Sequence, residues 1–245
     1  MTQPNGFQFQ QFFIAHDKCA MKVNTDGILL GAIANVAHAE RVLDLGTGSG
    51  LIAIMLAQRS VRNQAKIVAV ELDEHAFHQA TENAHQSPWA ERIQVLQADA
   101  SSPILANQFH EKFDLIVSNP PYFEHSLASR DQQRDLARSV VGSHLHWLMQ
   151  AKALLASHGK ISFILPLEAG NKLIEQAKQI ELFCVEQWFI QTKEGKPAKR
   201  TIVTFSLTEQ PKIDNNLVIY QQDNRYTADF MALTEAFYLR HAFNR

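Results

Sequence analysis

Arg41-Val42-Leu43-Asp44-Leu45 runs straight into Gly46-Thr47-Gly48-Ser49-Gly50, and a segment with Leu51, Ile52, Ile54, Met55 and Leu56 on its buried side follows at once. A strand, a glycine turn and a helix in that order make the first half of a nucleotide-binding crossover between parallel strands. The glycines let the backbone adopt positive φ and approach a ligand closely. Their spacing also excludes ligands. The dinucleotide fingerprint needs a third glycine where this chain has Leu51, and no lysine follows to complete a phosphate loop. Asp44 beside the turn repels phosphate and favours a cation. The expected ligand therefore carries no pyrophosphate.

The rest of the pattern extends this unit. Lys66–Val70, Ile93–Ala98, Phe113–Val117 and Lys160–Leu165 read as strands, and Phe183–Ile190 with Thr201–Leu207 as a closing antiparallel pair. Leu217–Tyr220 reads as a short edge strand. Helices are predicted over 74–86, where Asn83 falls, through Leu145, Leu148, Met149 and Leu155, and over roughly 168–180. A last helix carries Phe230, Leu233 and Phe237. The fold class is α/β: a Rossmann-like, mostly parallel, seven-stranded twisted sheet with helices on both faces and an antiparallel closing hairpin. With 245 residues, 46% of them hydrophobic, the chain suits one large domain better than two small ones. That domain divides into a segment over 1–40, a core over 41–208 and an extension over 209–245.

Open α/β sheets bind ligands at the carboxyl ends of their strands, so the residues there are the candidates. Glu71 ends the second strand, where a carboxylate accepts both hydroxyls of a ribose. Asp99 ends the third, placed to accept an adenine amino group or to cap the next turn. Ser118-Asn119-Pro120-Pro121-Tyr122 ends the fourth. Two prolines there cannot extend the strand, and each stiffens the residue before it. The rigid turn is either an ordinary strand end or, since it presents an amide, a backbone carbonyl and an aromatic face, a seat for a planar group bearing an NH2. Near the amino end, Thr25-Asp26-Gly27 precedes Ile28-Leu29-Leu30. This is a helix cap, or else Lys22 and the amide ends by Thr25 and Asp26 face a ligand carboxylate.

Net charge is −2, so any nucleic-acid contact must come from local patches. Arg130, Arg134 and Arg138 line one face of a helix, either as a salt-bridged solvated face with Asp131 and Asp135 or as a phosphate-contacting stripe. The loop from Lys193 to Arg200, with Lys196 and Lys199, either grips phosphates or keeps an edge hairpin soluble. Cys19 and Cys184 have no metal-ligand spacing and read as free thiols. No signal peptide and no membrane-length apolar run is visible, so a cytoplasmic protein without metal or membrane partner is expected.

A glycine turn, an acidic end to the second strand, Asp99 and Asn-Pro-Pro-Tyr, in that order, resemble a class I S-adenosylmethionine-dependent methyltransferase. The Asn-Pro-Pro-Tyr form resembles those that methylate planar amino or amide nitrogens. Phe12–Asp17, Lys22–Gly31, Gln86–Arg92 and Phe237-Tyr238-Leu239 narrow the likeness to the YfiC family, the tRNA1(Val) adenine-37 N6-methyltransferases, over nearly the whole chain. The resemblance implies S-adenosylmethionine as cofactor and tRNA as partner. Asp44, Gly46, Gly48 and Gly50 would hold the methionine end, Glu71 the ribose and Asp99 the adenine, with Lys22, Thr25 and Asp26 in the amino-terminal cofactor motif. The Asn119 oxygen and the Pro120 carbonyl would accept the hydrogens of the target amine, with Pro121 stiffening the turn and Tyr122 stacking on the base. The basic loop matches no family pattern. The rivals are a protein-glutamine methyltransferase, a guanine-amino methyltransferase of rRNA and a fold of this kind that only binds RNA.

Overall fold

A computed structural model describes residues 5–121 and 143–243. The chain opens on a hairpin that the sequence reading did not contain, β1 (Gly6–Gln8) antiparallel to β2 (Phe13–Ala15). Its loop and second strand bury Phe9, Phe12 and Ile14, which anchors the amino terminus in the main core. α1 (Thr25–Ile33) begins one residue after its cap. That cap is Asn24 rather than Thr25 or Asp26, and its Oδ1 accepts the Gly27 N–H at 2.9 Å.

Strands and helices then alternate: β3 (Arg41–Leu45), α2 (Leu51–Arg59), β4 (Lys66–Glu71), α3 (Glu74–Gln86), β5 (Ile93–Gln97), β6 (Phe113–Ser118), α4 (His144–Leu154), β7 (Leu155–Pro166) and α5 (Leu167–Ala177). β8 (Phe183–Lys193), β9 (Arg200–Ser206), β10 (Ile213–Tyr220) and α6 (Ala228–Thr234) follow, and a 3-10 turn over Arg240–Phe243 ends the described residues. The main sheet runs β10-β8-β9-β7-β6-β3-β4-β5, with β9 antiparallel to both neighbours and every other pairing parallel. It holds eight strands where seven were expected. The eighth is the anticipated edge, which starts at Ile213 instead of Leu217 and pairs with β8 along its length. Phe237, expected on the last helix, follows its end and is still buried.

The period-two alternation of β6 shows how the layers close. Leu115 and Val117 face one core, with Ile28 and Leu29 of α1, Ile54 of α2 and Phe230 of α6. Ile116 faces the other, with Trp147 and Leu148 of α4 and Leu173 of α5. Each such fully buried side chain contributes about 1.5–3 kcal/mol, so both faces are held by many small terms rather than by any one contact. One consequence matters for function. The parallel strands all end along one edge of the sheet, and β9 starts there. That edge carries Gly46, Glu71 and Asn119.

Candidate active site

A cavity of about 500 Å3 opens at this edge. The glycine turn forms part of its floor. Gly48 has φ +57, and a Cβ built on it would meet nothing within 4 Å, so the space above it is open to a ligand. Gly46 has φ +70, and a Cβ there would sit 3.0 Å from the Trp147 ring. Glycine is thus needed at both positions, for conformation at one and for space as well at the other. The Glu71 carboxylate ties the floor together: Oε2 accepts the Gly48 N–H at 2.8 Å, and Oε1 accepts those of Leu72 and Asp73 at 2.9 and 3.0 Å. Asp99 Oδ1 accepts from Ser101 N and Oγ at 2.8 and 2.6 Å. Asn119 Nδ2 lies 3.8 Å from Met21 Sδ, while its Oδ1 is buried with no hydrogen-bond partner among the described residues.

Residues 18–24 roof the cavity, and α3 holds them. Gln79, fully buried, accepts the Lys18 N–H on Oε1 at 2.9 Å and donates from Nε2 to Asp17 Oδ1 at 2.8 Å. That bond holds the Asp17 carboxyl below the usual range. Asn83, one turn later, accepts from Ala15 N and donates to the carbonyls of Ala15 and Ser49, at 3.0, 2.8 and 2.8 Å. One amide thereby joins hairpin, helix and glycine turn. His16 Nδ1 accepts the Val23 N–H at 3.2 Å, and burial, with Lys22 nearby, lowers its pKa and keeps it neutral. Burial pushes the Cys19 thiol up to about 11, so it is no nucleophile here.

Of the residues singled out from sequence, Lys22, Gly46, Gly48, Glu71, Asp99, Asn119 and Pro121 line the cavity. Asp44, Gly50, Pro120, Thr25 and Asp26 stand off its wall. Asp44 is fully buried behind the turn, where its Oδ2 accepts from Thr47 Oγ1 at 2.6 Å. Burial, then the charge of Glu71, raises its carboxyl to about 7 against that hydrogen bond. Gly50 caps α2 and packs on Ala80. Asp26 Oδ2 instead accepts from Arg200 Nε at 2.9 Å, joining α1 to the start of β9. Lys196 and Lys199 are exposed on the β8–β9 loop. Tyr122, Arg130, Arg134 and Arg138 lie outside the described residues.

The sequence reading missed Met21, Gln79 and Trp147. A signal for Gln79 was present: it sits four residues before Asn83 on the stripe formed by Ala76, Ala80 and Ala84, an amide where an apolar residue would serve packing alone. Met21 and Leu72, apolar yet 42% and 61% exposed, both face the cavity and present surface for a ligand to cover. Among the described residues no group of His, Cys, Asp and Glu is arranged to hold a metal, and no helix is long and apolar enough to cross a membrane.

Comparison with known proteins names the scaffold. Residues 22–189 match the family model of the methyltransferase small domain. The tRNA1(Val) (adenine(37)-N6)-methyltransferase of Actinobacillus pleuropneumoniae serotype 7 is 59% identical over 239 residues, covering 98% of this chain and 99% of that protein. The chain belongs to the tRNA1(Val) (adenine(37)-N6)-methyltransferase family. The Pasteurella multocida member is 51% identical over 97% of this chain and 98% of its own. Among solved structures, a predicted O-methyltransferase from Agrobacterium tumefaciens superposes with TM-score 0.68 at 21% identity, covering 86% of this chain and 96% of its own. TrmN from Thermus thermophilus gives 0.52 at 23% identity, over 74% of this chain and 47% of that one. These two show a shared fold. The methyltransferase cavity has polar groups that fit S-adenosylmethionine: acceptors on Glu71 and Asp99 for a diol and an amino group, and Lys22 for a carboxylate.

Proposed function

We propose that this protein methylates N6 of the adenine at position 37 of tRNA1(Val), with S-adenosylmethionine as donor, in the cytoplasm. The observation that carries the reading is the Asn119 oxygen: a buried acceptor with no partner among the described residues, on the wall of a ligand-sized cavity at the end of β6. A buried acceptor left unpaired costs about 1–3 kcal/mol, which is recovered when a ligand brings an N–H donor. An exocyclic amine is such a donor, and its lone pair is delocalised into the ring. Asn119 Oδ1, by accepting one of its hydrogens, helps localise that lone pair as nitrogen becomes tetrahedral, so the bond strengthens toward the transition state. The carbonyl of Pro120, which stands off the cavity's wall, is the expected second acceptor once the base is bound. No strong base is needed first, because the proton becomes acidic only after transfer. The bound cofactor supplies an electrophilic methyl group. Around it the chain's own part is positioning: Glu71 and Asp99 orient, Lys22 neutralises a carboxylate, and the roof over residues 18–24 limits water. Tyr122 stacks on the base in this scheme, and Lys196, Lys199 and the Arg130–Arg134–Arg138 face are candidate phosphate contacts. The target must be turned out of the anticodon loop, which costs less in an exposed loop than in a duplex.

Asn119→Ala tests the centre of this scheme by single-turnover methylation of a tRNA1(Val) transcript. Removing one preorganised acceptor lowers the rate roughly a hundred- to thousand-fold, about 3–4 kcal/mol, with cofactor affinity and melting temperature unchanged. A mutant that melts and binds cofactor normally and still methylates at the wild-type rate removes Asn119 from the chemistry. Offering rRNA and a release factor beside tRNA in the same assay tests the substrate class.

A further inference from the structure

A second cavity, of about 460 Å3, lies beside the carboxyl end of β10. Phe7, Tyr220, Tyr226 and Tyr238 line it, with Asn224 and His241 supplying polar groups. Three rings form a column that leads from the core to this space. Phe230 and Tyr226 stack with centroids 4.8 Å apart and planes at 20°, and Tyr226 and Tyr220 with centroids 4.9 Å apart and planes at 21°. Phe230, at 1% exposure, is the buried end, and the partly exposed Tyr220 is the end on the cavity. A ring already fixed in this way loses little freedom when something stacks on it.

The surroundings carry more cations than acids, with Lys193, Lys196, Lys199 and Arg200 against Glu194 in the loop that leaves β8, and they lie on the same sheet edge as the first site. Lys193 is the register partner of Tyr220 across β8 and β10, and its Nζ donates to Asn224 Oδ1 at 2.7 Å. The loop bearing Lys196 and Lys199 runs from there to Arg200, which pairs in register with Pro166 at the end of β7. β6 and Asn119 come next in the sheet order. Tyr220 and Asn119 are thus separated by four strand spacings, about 19 Å along the same edge. Of the acidic neighbours, Asp223 is taken by Arg225, whose Nε donates to its Oδ2 at 2.6 Å, and Glu194, exposed and joined to Tyr220 through its backbone N–H, offsets one of the loop's cations.

Flat aromatic faces, an amide and an imidazole at the rim and cations along the approach match a nucleobase on its phosphate chain better than an aliphatic ligand. We propose that the tyrosine cavity is a second nucleobase site: a base of the same tRNA, a few nucleotides from the target adenine, stacks on Tyr220 while Lys193 and the β8–β9 loop follow the intervening phosphates. This rests on the tRNA reading of the first cavity. It also gives the basic loop a role as a track between two base sites.

The test measures binding of a fluorescent tRNA1(Val) transcript to the full chain by anisotropy. Tyr220→Leu, which keeps apolar bulk and removes the ring, weakens binding about five- to a hundred-fold, the range that loss of one base–aromatic stack produces. Tyr220→Phe restores it, and neither change alters cofactor affinity or the methylation rate at saturating tRNA. Wild-type affinity in a folded Tyr220→Leu protein overturns the proposal. Should that variant melt early, ultraviolet cross-linking of wild-type protein to the transcript decides: nucleotide adducts on Tyr220 or Tyr238 support the site, and adducts confined to the first cavity and the basic loop overturn it. A wild-type protein that methylates no tRNA in these assays fails the proposed function itself, a separate result.

Discussion

The floor of the first cavity hangs from strand ends, whereas its roof hangs from side chains. Gly46, Glu71 and Asn119 follow or end strands of the sheet, and the Glu71 carboxylate accepts three backbone N–H groups there. Residues 17–24 pair with no strand. Gln79 holds Asp17 and Lys18, the neutral ring of His16 holds Val23, and Asn83 holds Ala15 at the base of the segment. A region fixed by the sheet opens only when the fold opens, and a region fixed by a few amides can loosen locally. On the proposed scheme the difference divides the work: the floor would keep the acceptor and the cofactor's contacts in place, and the roof would yield first when a ligand enters.

The largest effect that tests this contrast comes from beneath the floor. Asp44 has a folded-state carboxyl raised from 3.8 to about 7 by burial. Between those values the native state holds more protons than the unfolded one, so stability falls as pH rises through that window and levels off above about 7. A shift of this size amounts to about 4 kcal/mol across the window. Asp44→Asn removes the slope, so its stability relative to wild type grows from pH 4 to 7 in denaturant titrations. Curves that stay parallel at every pH would show that Asp44 ionises normally and that the turn does not seal it from water.

Glu71→Ala comes next. The sequence leads one to expect a ribose on this carboxylate, and the geometry shows it bracing the glycine turn. Losing two hydrogen bonds to a charged acceptor weakens S-adenosylmethionine binding by about 2–4 kcal/mol. Calorimetry should find Glu71→Gln intermediate, because the amide keeps one acceptor oxygen. Equal losses for the two variants would mean that the charge, not the hydrogen bonding, carries the affinity.

These two predictions concern residues that the sequence displays, and the reason is local. A strand of five or six apolar residues followed by glycines, an acid or Asn-Pro-Pro announces its own end, and parallel topology gathers such ends along one edge. Glu71, Asp99 and Asn119 were legible in that way. The roof was not, because the bonds that tie it and the hairpin before it to α3 join residues 61 to 68 positions apart. Nothing near Asp26 shows that Arg200, 174 positions on, takes up its carboxylate. The opening hairpin was missed for a similar reason. Two three-residue strands are too short for period-two alternation to register, and Phe9 and Phe12 owe their burial to the distant core.

The smallest effect separates roof from floor most cleanly. Gln79→Ala removes the amide that holds Asp17 and Lys18 and leaves every floor contact intact. The loosened segment then has to be ordered each time a ligand binds, and that cost falls on ground state and transition state alike. A cost shared by both states raises KM for the cofactor and leaves kcat unchanged. About 1 kcal/mol, or roughly five-fold in KM, is expected for one such anchor. Asn119→Ala should show the opposite split, with kcat lost and cofactor binding kept. If Gln79→Ala instead lowers kcat at saturating cofactor as Asn119→Ala does, the roof is holding the target base over the acceptor. Met21, whose sulfur lies 3.8 Å from the Asn119 amide, would then be the side chain to examine first.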